Sequence, residues 1–214
     1  MFQSDLFPAG EQMPSMPSAY AIGTRVAALL ASGRHLTRTD ISELFADETG
    51  VLDWGSAWKI DDYNSAVEIG ALLWLRDSSR IDLATNVHEA EARFDWLEAA
   101  LPPRHVRSEA QVELQQFSTP PMLAWLMAKA AAVCAQDTLL EPSAGNGALA
   151  LWGSVRKASL VLNEIDPTRR DGLSHIFASA PISALKLIRL SCPPCASGAP
   201  CGDWTAPLVP TPGP

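Results

Sequence analysis

Apolar residues recur at helical spacing through most of the first hundred positions. Between Ala19 and Leu30 they stand three or four positions apart, which predicts a helix. Thr39 has the character of an N-cap for a second, short helix. The same spacing predicts longer helices over 64–75 and 86–101. We therefore expect a helical region over 20–107, without paired strands.

The pattern changes character in the second half of the chain. A helix is predicted over 120–134, and two short apolar runs follow at 138–141 and 159–163. A glycine-containing loop and a short apolar segment over 148–152 lie between the two runs. The order strand, loop, helix, strand is that of a βαβ unit with parallel strands. The predicted fold class is therefore α/β, a helical N-terminal region followed by a partial Rossmann-like unit over 108–180.

Neither end of the chain shows the regular spacing of apolar residues that forms part of a hydrophobic core. Residues 1–19 hold three prolines among Ser, Gly, Gln and Met, and are predicted to be a flexible lead-in. Residues 181–214 carry 8 of the 17 prolines and three of the four cysteines. We expect this segment to be a disordered tail, apart from a run at 184–190 that suits one strand.

The charge distribution limits what the N-terminal half can bind. The net charge is −8, and residues 1–100 alone carry 16 acidic against 7 basic side chains. Because a nucleic-acid grip needs a basic face, this half is a poor DNA-binding surface. The sequence shows no apolar run of about 20 residues and no signal peptide, so we expect no membrane association. The cysteines are few and clustered, which favours a location in the reducing cytoplasm.

The glycine loop and a downstream carboxylate carry the candidate chemistry. Gly145 and Gly147 follow the first predicted strand, where they permit a tight turn and close approach of a ligand to the backbone. Glu164 ends the second strand, 19 residues after Gly145, where a carboxylate can accept the hydroxyls of a ribose. These residues predict a nucleoside ligand.

Residues that are absent from the loop restrict which nucleoside ligand it can bind. Gly147 is followed by Ala148 and Leu149, whereas a phosphate-binding loop has Lys and Ser or Thr there. The third glycine of a dinucleotide loop is also missing, since Leu149-Ala150 occupies its place. A ligand with a ribose and no pyrophosphate fits, and S-adenosylmethionine (SAM) is such a ligand.

Three segments in this order resemble the amino-methyltransferases of DNA: QQFSTPPMLAWLM, LLEPSAGNGALA and LNEIDP. The closest likeness is to the methylase portion of strawberry-notch-like methylase/helicase proteins of plasmids and other mobile elements, over about residues 100–177. The resemblance implies a SAM-dependent methyltransferase acting on the adenine amino group of DNA. It also implies a cofactor site of Phe117, Ser118, Thr119 and Pro120 at the methionine end, Glu141, Pro142, Ala144, Gly145 and Gly147 in the loop, Glu164 at the ribose and Ile165 at the adenine.

The segment with which that family binds the methyl acceptor is missing from this sequence. Its members carry an Asn, Asp or Ser, then Pro-Pro and an aromatic residue, which together clamp the flipped base. The proline pairs here are Pro102-Pro103, Pro120-Pro121 and Pro193-Pro194, and none has those flanks. The composition also changes abruptly after Phe177, as in a truncated or frameshifted reading frame. We assign no catalytic residue and expect the isolated chain not to methylate DNA.

Three alternatives remain open at the level of sequence. The chain is either a methyltransferase fragment, whose sheet a partner chain would complete, or a non-catalytic interaction module without a ligand. The acceptor can also be a small molecule or a protein, because the glycine loop says nothing about it.

Two further motifs have simpler interpretations. Cys192, Cys195 and Cys201 suggest a zinc half-site, with His175 as the nearest fourth ligand, but cysteines incidental to a low-complexity tail are favoured. RHLTRTDISELF suggests a helix-turn-helix, but the acidic surroundings favour a packing role.

Overall fold

The computed structural model describes residues 18–50, 58–103 and 118–185. Within those ranges the chain is a mixed α/β structure with seven helices and one sheet of three parallel strands. In chain order the elements are α1 Ala19–Ala31, α2 Arg38–Thr49, α3 Ile60–Asp77, α4 Val87–Ala100, α5 Pro121–Ala130, β1 Thr138–Glu141, α6 Ala148–Val155, β2 Ser159–Asn163, α7 Pro167–Ile176 and β3 Ile182–Ser183.

Several predictions fall outside the described residues. They are the lead-in up to residue 17, Phe117, and the part of the predicted 181–214 tail from residue 186 on. Most of the strand suggested over 184–190 lies there as well. At the start of the segment that was expected to be disordered, Ile182–Ser183 form the third strand, β3.

Local capping fixes where the helices begin. Thr37, not Thr39, is the N-cap of α2: its hydroxyl accepts the backbone N–H of Asp40, and the Asp40 carboxylate accepts that of Thr37. This reciprocal capping box satisfies two otherwise free donors, which makes Thr37 the stronger cap. The helix predicted over 120–134 is also wrong at its end, because Ala132 has a φ of +51°. Consequently α5 stops at Ala130.

Two glycines bring α1 and α3 close together. A Cβ on Gly70 would lie 2.3 Å from Val26 Cγ1, and one on Gly23 would lie 2.6 Å from Ile69 Cγ2. Neither glycine leaves room for a methyl group. Isoleucine and valine side chains therefore fill the space that each glycine opens in the opposite helix.

Replacement of Gly70 by alanine is expected to destabilise the protein. The added methyl must displace Val26, and overpacking of this kind costs about 1–3 kcal/mol. The free energy of unfolding, measured by denaturant titration, checks this. Ala99→Val, which adds methyl groups at an exposed position of α4, is the control. Equal stability of Gly70→Ala and the wild-type chain would contradict the close helix contact.

The sheet has the order β1-β2-β3, and both strand pairs are parallel. The strands predicted at 138–141 and 159–163 are β1 and β2, with Leu140 opposite Val161. Helix α6 connects them and packs on one face, where a Cβ on Gly153 would lie 2.8 Å from Leu160 Cδ2. Parallel strands and a helical connection are the predicted βαβ unit.

Helix α7 was not predicted from the sequence. Asp166 is its N-cap, with Oδ1 accepting the backbone N–H of Arg169 at 2.9 Å, and Pro167 occupies the first turn. Both are ordinary helix-start signals. Asp166 and Pro167 come directly after Glu164 and Ile165, which the sequence analysis interpreted as ligand-binding residues, and no helix was predicted there.

The helical region and the α/β unit share one core. The Phe94 ring of α4 contacts Trp125 of α5 and Trp152 of α6, with ring centroids 6.0 and 6.4 Å apart. Helix α7 lies against α3, where a Cβ on Gly172 would lie 2.7 Å from Ile69 Cδ1. The N-terminal helices therefore form part of the frame of the candidate site. None of the helices in the described ranges is long and apolar enough to cross a membrane.

Candidate cofactor site

The glycine loop lies at the carboxyl ends of β1 and β2. It turns tightly because Gly145 and Gly147 both have positive φ, +57° and +97°, and because the Gly147 N–H donates to the Ala144 carbonyl at 2.8 Å. The Ala144 N–H donates to the carbonyl of Asn163, the last residue of β2. The loop is thus tied to both strands, in the position where open α/β sheets bind ligands.

Glu164 holds the glycine loop through hydrogen bonds to the backbone. Its Oε2 accepts the Gly145 N–H at 2.7 Å and its Oε1 accepts the Asp166 N–H at 2.8 Å, and the residue is 6% exposed. A carboxylate that accepts two backbone donors is strongly oriented. Each oxygen retains a second lone-pair site, so its role toward a ribose stays a prediction.

A cavity of about 640 Å³ opens beside the loop. Six predicted cofactor residues line it: Ser118, Thr119, Pro120, Glu141, Ala144 and Gly145. Its size lies within the range of about 300–1,000 Å³ for small-molecule sites. The FSTP-type segment and the glycine loop, which are far apart in sequence, therefore meet at one cavity.

The other predicted residues lie elsewhere. Pro142, Gly147, Glu164 and Ile165 are not among the cavity residues. Gly147 packs beneath the loop against Phe177, and Ile165 is on the surface at 40% exposure. The structure therefore does not bring the adenine-side residues together with the methionine-side residues in one pocket.

Sequence reasoning missed the opposite wall of the cavity. It comes from α3 and α4 and includes Tyr63, Asn64, Glu68, Phe94 and Glu98. One signal was present in the sequence, since Glu68 is a single acid within the otherwise apolar stretch of α3. An acidic residue in such a stretch is a candidate for a specific contact.

That contact ties the helical region to the glycine loop. Asn146, between the two glycines, donates from Nδ2 to Glu68 Oε2 at 2.6 Å. Asn146 is 5% exposed, so this hydrogen bond to a charged group is largely shielded from water. Helix α3 thereby helps to fix the loop.

The electrostatic character of the cavity is acidic. Among its described lining residues the charged ones are Glu68, Glu98 and Glu141, all carboxylates. Burial raises the pKa of Glu141 above its ordinary value and raises the pKa of Tyr63 to about 12. The cavity favours a neutral or cationic ligand over an anionic one near these carboxylates.

Removal of the Glu141 charge is expected to stabilise the ligand-free protein. Because its pKa is higher in the folded than in the unfolded chain, stability is lost as the pH rises through the folded-state pKa. Glu141→Gln should therefore raise the melting temperature at pH 7. The gain should vanish below the ordinary glutamate pKa. Differential scanning calorimetry at several pH values checks this, with exposed Glu43→Gln as control.

A resident metal is not suggested by the geometry. In the part of the chain that the structure describes, no three His, Cys, Asp or Glu side chains are grouped as metal ligands. The zinc half-site Cys192, Cys195 and Cys201 lies outside the described residues.

Comparison of the chain with protein-family models, with curated proteins and with solved structures found no match.

Proposed function

We propose that this chain binds SAM in the cavity beside the glycine loop and is a SAM-dependent amino-methyltransferase, or a fragment of one. The observation that carries the proposal is the meeting of residues 118–120 with Glu141 and the loop at one cavity. The fold is then a partial Rossmann-like unit, of which β1 to β3 are three adjacent parallel strands. Motif order and three-dimensional proximity support the same ligand.

The residues present fit SAM in two respects. A Cβ on Gly145 would meet, among the described residues, only Arg169 Nη1 at 3.5 Å, so the backbone is open to a ligand there. Glu141 offers a carboxylate to a positively charged group, and the hydroxyls of Ser118 and Thr119 can hydrogen-bond to the polar end of an amino acid.

These side chains bind and orient, and they perform no covalent step. When bound, SAM supplies an electrophilic methyl group on a positively charged sulfur. The Glu141 carboxylate stabilises positive charge nearby, and apolar side chains of the α3 and α4 wall, such as Leu72 and Phe94, limit the access of water to it. Asn146 and Glu68 hold the loop in place during binding.

DNA is the acceptor that the resemblance implies, and the isolated chain is expected not to use it. The described cavity wall has no basic side chain for a phosphate backbone, and the base clamp is missing from the sequence. Incubation with tritium-labelled SAM and adenine-containing DNA should therefore leave the DNA unlabelled. Labelled DNA would show that the acceptor side has been wrongly described. We further propose a cytoplasmic location, since the four cysteines include no disulfide framework.

A second candidate function, a non-catalytic interaction module, is favoured by the uncovered face of the sheet. Leu140 and Val161 are paired in register on this face, and they are 66% and 38% exposed. Parallel sheets are normally covered on both faces. Binding of SAM to the purified chain separates the two candidates, because the module has no ligand. A partner chain that covers this face is compatible with either.

A further inference from the structure

One buried charge next to the glycine loop has no polar partner within the described residues. Arg169, in the first turn of α7, is 6% exposed, and its guanidinium neither donates a hydrogen bond nor forms an ion pair there. Its backbone N–H donates to Asp166 Oδ1 as part of the helix cap. A guanidinium carries five N–H donors and stays charged, so one that has no acceptor among the described residues is free to pair with an anionic group that reaches it.

The nearby carboxylate of Glu164 bonds to the backbone and forms no ion pair with Arg169. Both oxygens of Glu164 accept backbone N–H groups, from Gly145 and Asp166. The next arginine in the chain behaves differently, because Arg170 Nη1 donates to the carbonyls of Glu164 and Ile165 at 3.0 and 3.1 Å. Lack of a partner is thus particular to Arg169 rather than common to this turn of the helix.

The guanidinium borders open space at the loop. Its Nη1 lies 3.5 Å from the position that a Cβ on Gly145 would take, and no other described side chain or backbone atom beyond the neighbouring residues lies within 4 Å of that position. Gly145 also lines the main cavity. A ligand group that approaches Gly145 on this side meets an arginine whose donors are not satisfied.

We propose that Arg169 binds an oxyanion of the ligand, a carboxylate or a phosphate, beside Gly145. Carboxylates and phosphates can each present two oxygens to the guanidinium fork and form short, charge-assisted pairs with it. The inference rests on the proposed function for the position of the ligand at the glycine loop, and it adds the chemical group recognised there. The carboxylate would be that of the amino-acid part of SAM, and the phosphate that of a nucleotide.

Calorimetry on the full chain with three probes distinguishes these sources. S-adenosylhomocysteine carries a carboxylate, adenosine 3′-monophosphate carries a phosphate, and adenosine carries neither. At least one anionic probe should bind the wild-type chain ten or more times tighter than adenosine does. Arg169→Met should reduce that affinity to the level of adenosine and leave the affinity for adenosine unchanged. Arg170→Met is the matched control, and it should still bind the anionic probe more tightly than adenosine.

Two outcomes overturn the proposal: Arg169→Met binds the anionic probes as tightly as the wild-type chain, or neither anionic probe is preferred over adenosine. The proposed function fails separately. If only the nucleotide binds, and binds through Arg169, then SAM recognition is wrong and the oxyanion site stands. If S-adenosylhomocysteine binds regardless of Arg169, SAM recognition stands and the oxyanion site is wrong.

A second variant and a second readout protect the test against misfolding. Arg169→Lys keeps the charge but loses the fork, so it should weaken the preferred anionic probe at least threefold while adenosine binds as before. Without ligand, Arg169→Met should melt no lower than the wild-type chain, because the guanidinium forms no hydrogen bond or ion pair with a described residue that the substitution would remove. A lower melting temperature would mean that the guanidinium has partners in the free protein, which contradicts the proposal.

Discussion

Gly147→Ala is expected to destabilise the protein by about 2–5 kcal/mol, through backbone strain and overpacking together. The φ of Gly147 is +97°, which L side chains rarely adopt. A Cβ there would lie 2.4 Å from Phe177 Cε2 and 3.0 Å from Leu173 Cδ2, so α7 would have to move away from the loop. Denaturant titration followed by circular dichroism measures the loss.

Gly145→Ala is the matched control for this prediction. Its φ is also positive, at +57°, but the nearest described atom to the added Cβ is Arg169 Nη1 at an ordinary 3.5 Å. Only the strain of the left-handed conformation remains, about 1–2 kcal/mol. If the two alanine variants lose the same stability, then the contact between Gly147 and Phe177 does not determine how the loop packs.

The second large effect is expected at Glu164. Glu164→Ala removes the acceptor of two partly buried backbone N–H groups, and each unsatisfied donor costs up to about 3 kcal/mol. The loop then loses its orientation, and the predicted ribose acceptor disappears with it. We expect SAM affinity to fall at least 100-fold in this variant.

A control is needed that removes an acidic charge from the same part of the chain. Asp171→Ala does so on the exposed side of α7, away from the loop, and should leave SAM affinity within about twofold. Denaturation curves of both variants show whether the chain is folded under the binding conditions. If a folded Glu164→Ala protein keeps wild-type affinity, the site has been placed wrongly.

Local signals made much of the fold predictable. Apolar spacing located α1, α3 and α4, and short apolar runs beside a glycine loop located β1 and β2. These features depend on neighbours within a few positions, which a single sequence displays. Helix ends were less accurate, as at Thr37 and Ala130, because capping bonds and single backbone angles decide them.

Long-range packing was not predictable in the same way. The loop motif identified Glu141 and Gly145, but nothing near it in sequence indicated that Glu68 of α3 would bind Asn146. The sequence suggested Glu164 as a ligand residue, whereas in the folded chain its carboxylate accepts hydrogen bonds from the loop and from the start of α7. Contacts between residues 19 to 78 positions apart follow from how the layers pack, which periodicity does not specify.

Calorimetric titration of the full wild-type chain with SAM measures whether the glycine-loop cavity binds this cofactor. We expect saturable binding at one site, tighter for SAM than for S-adenosylhomocysteine because the carboxylates of Glu68, Glu98 and Glu141 favour the positively charged sulfur. Binding should be weaker in Glu141→Gln and at least 100-fold weaker in Glu164→Ala. A folded wild-type chain that gives no heat of binding with either compound, and no change in melting temperature, would contradict the account.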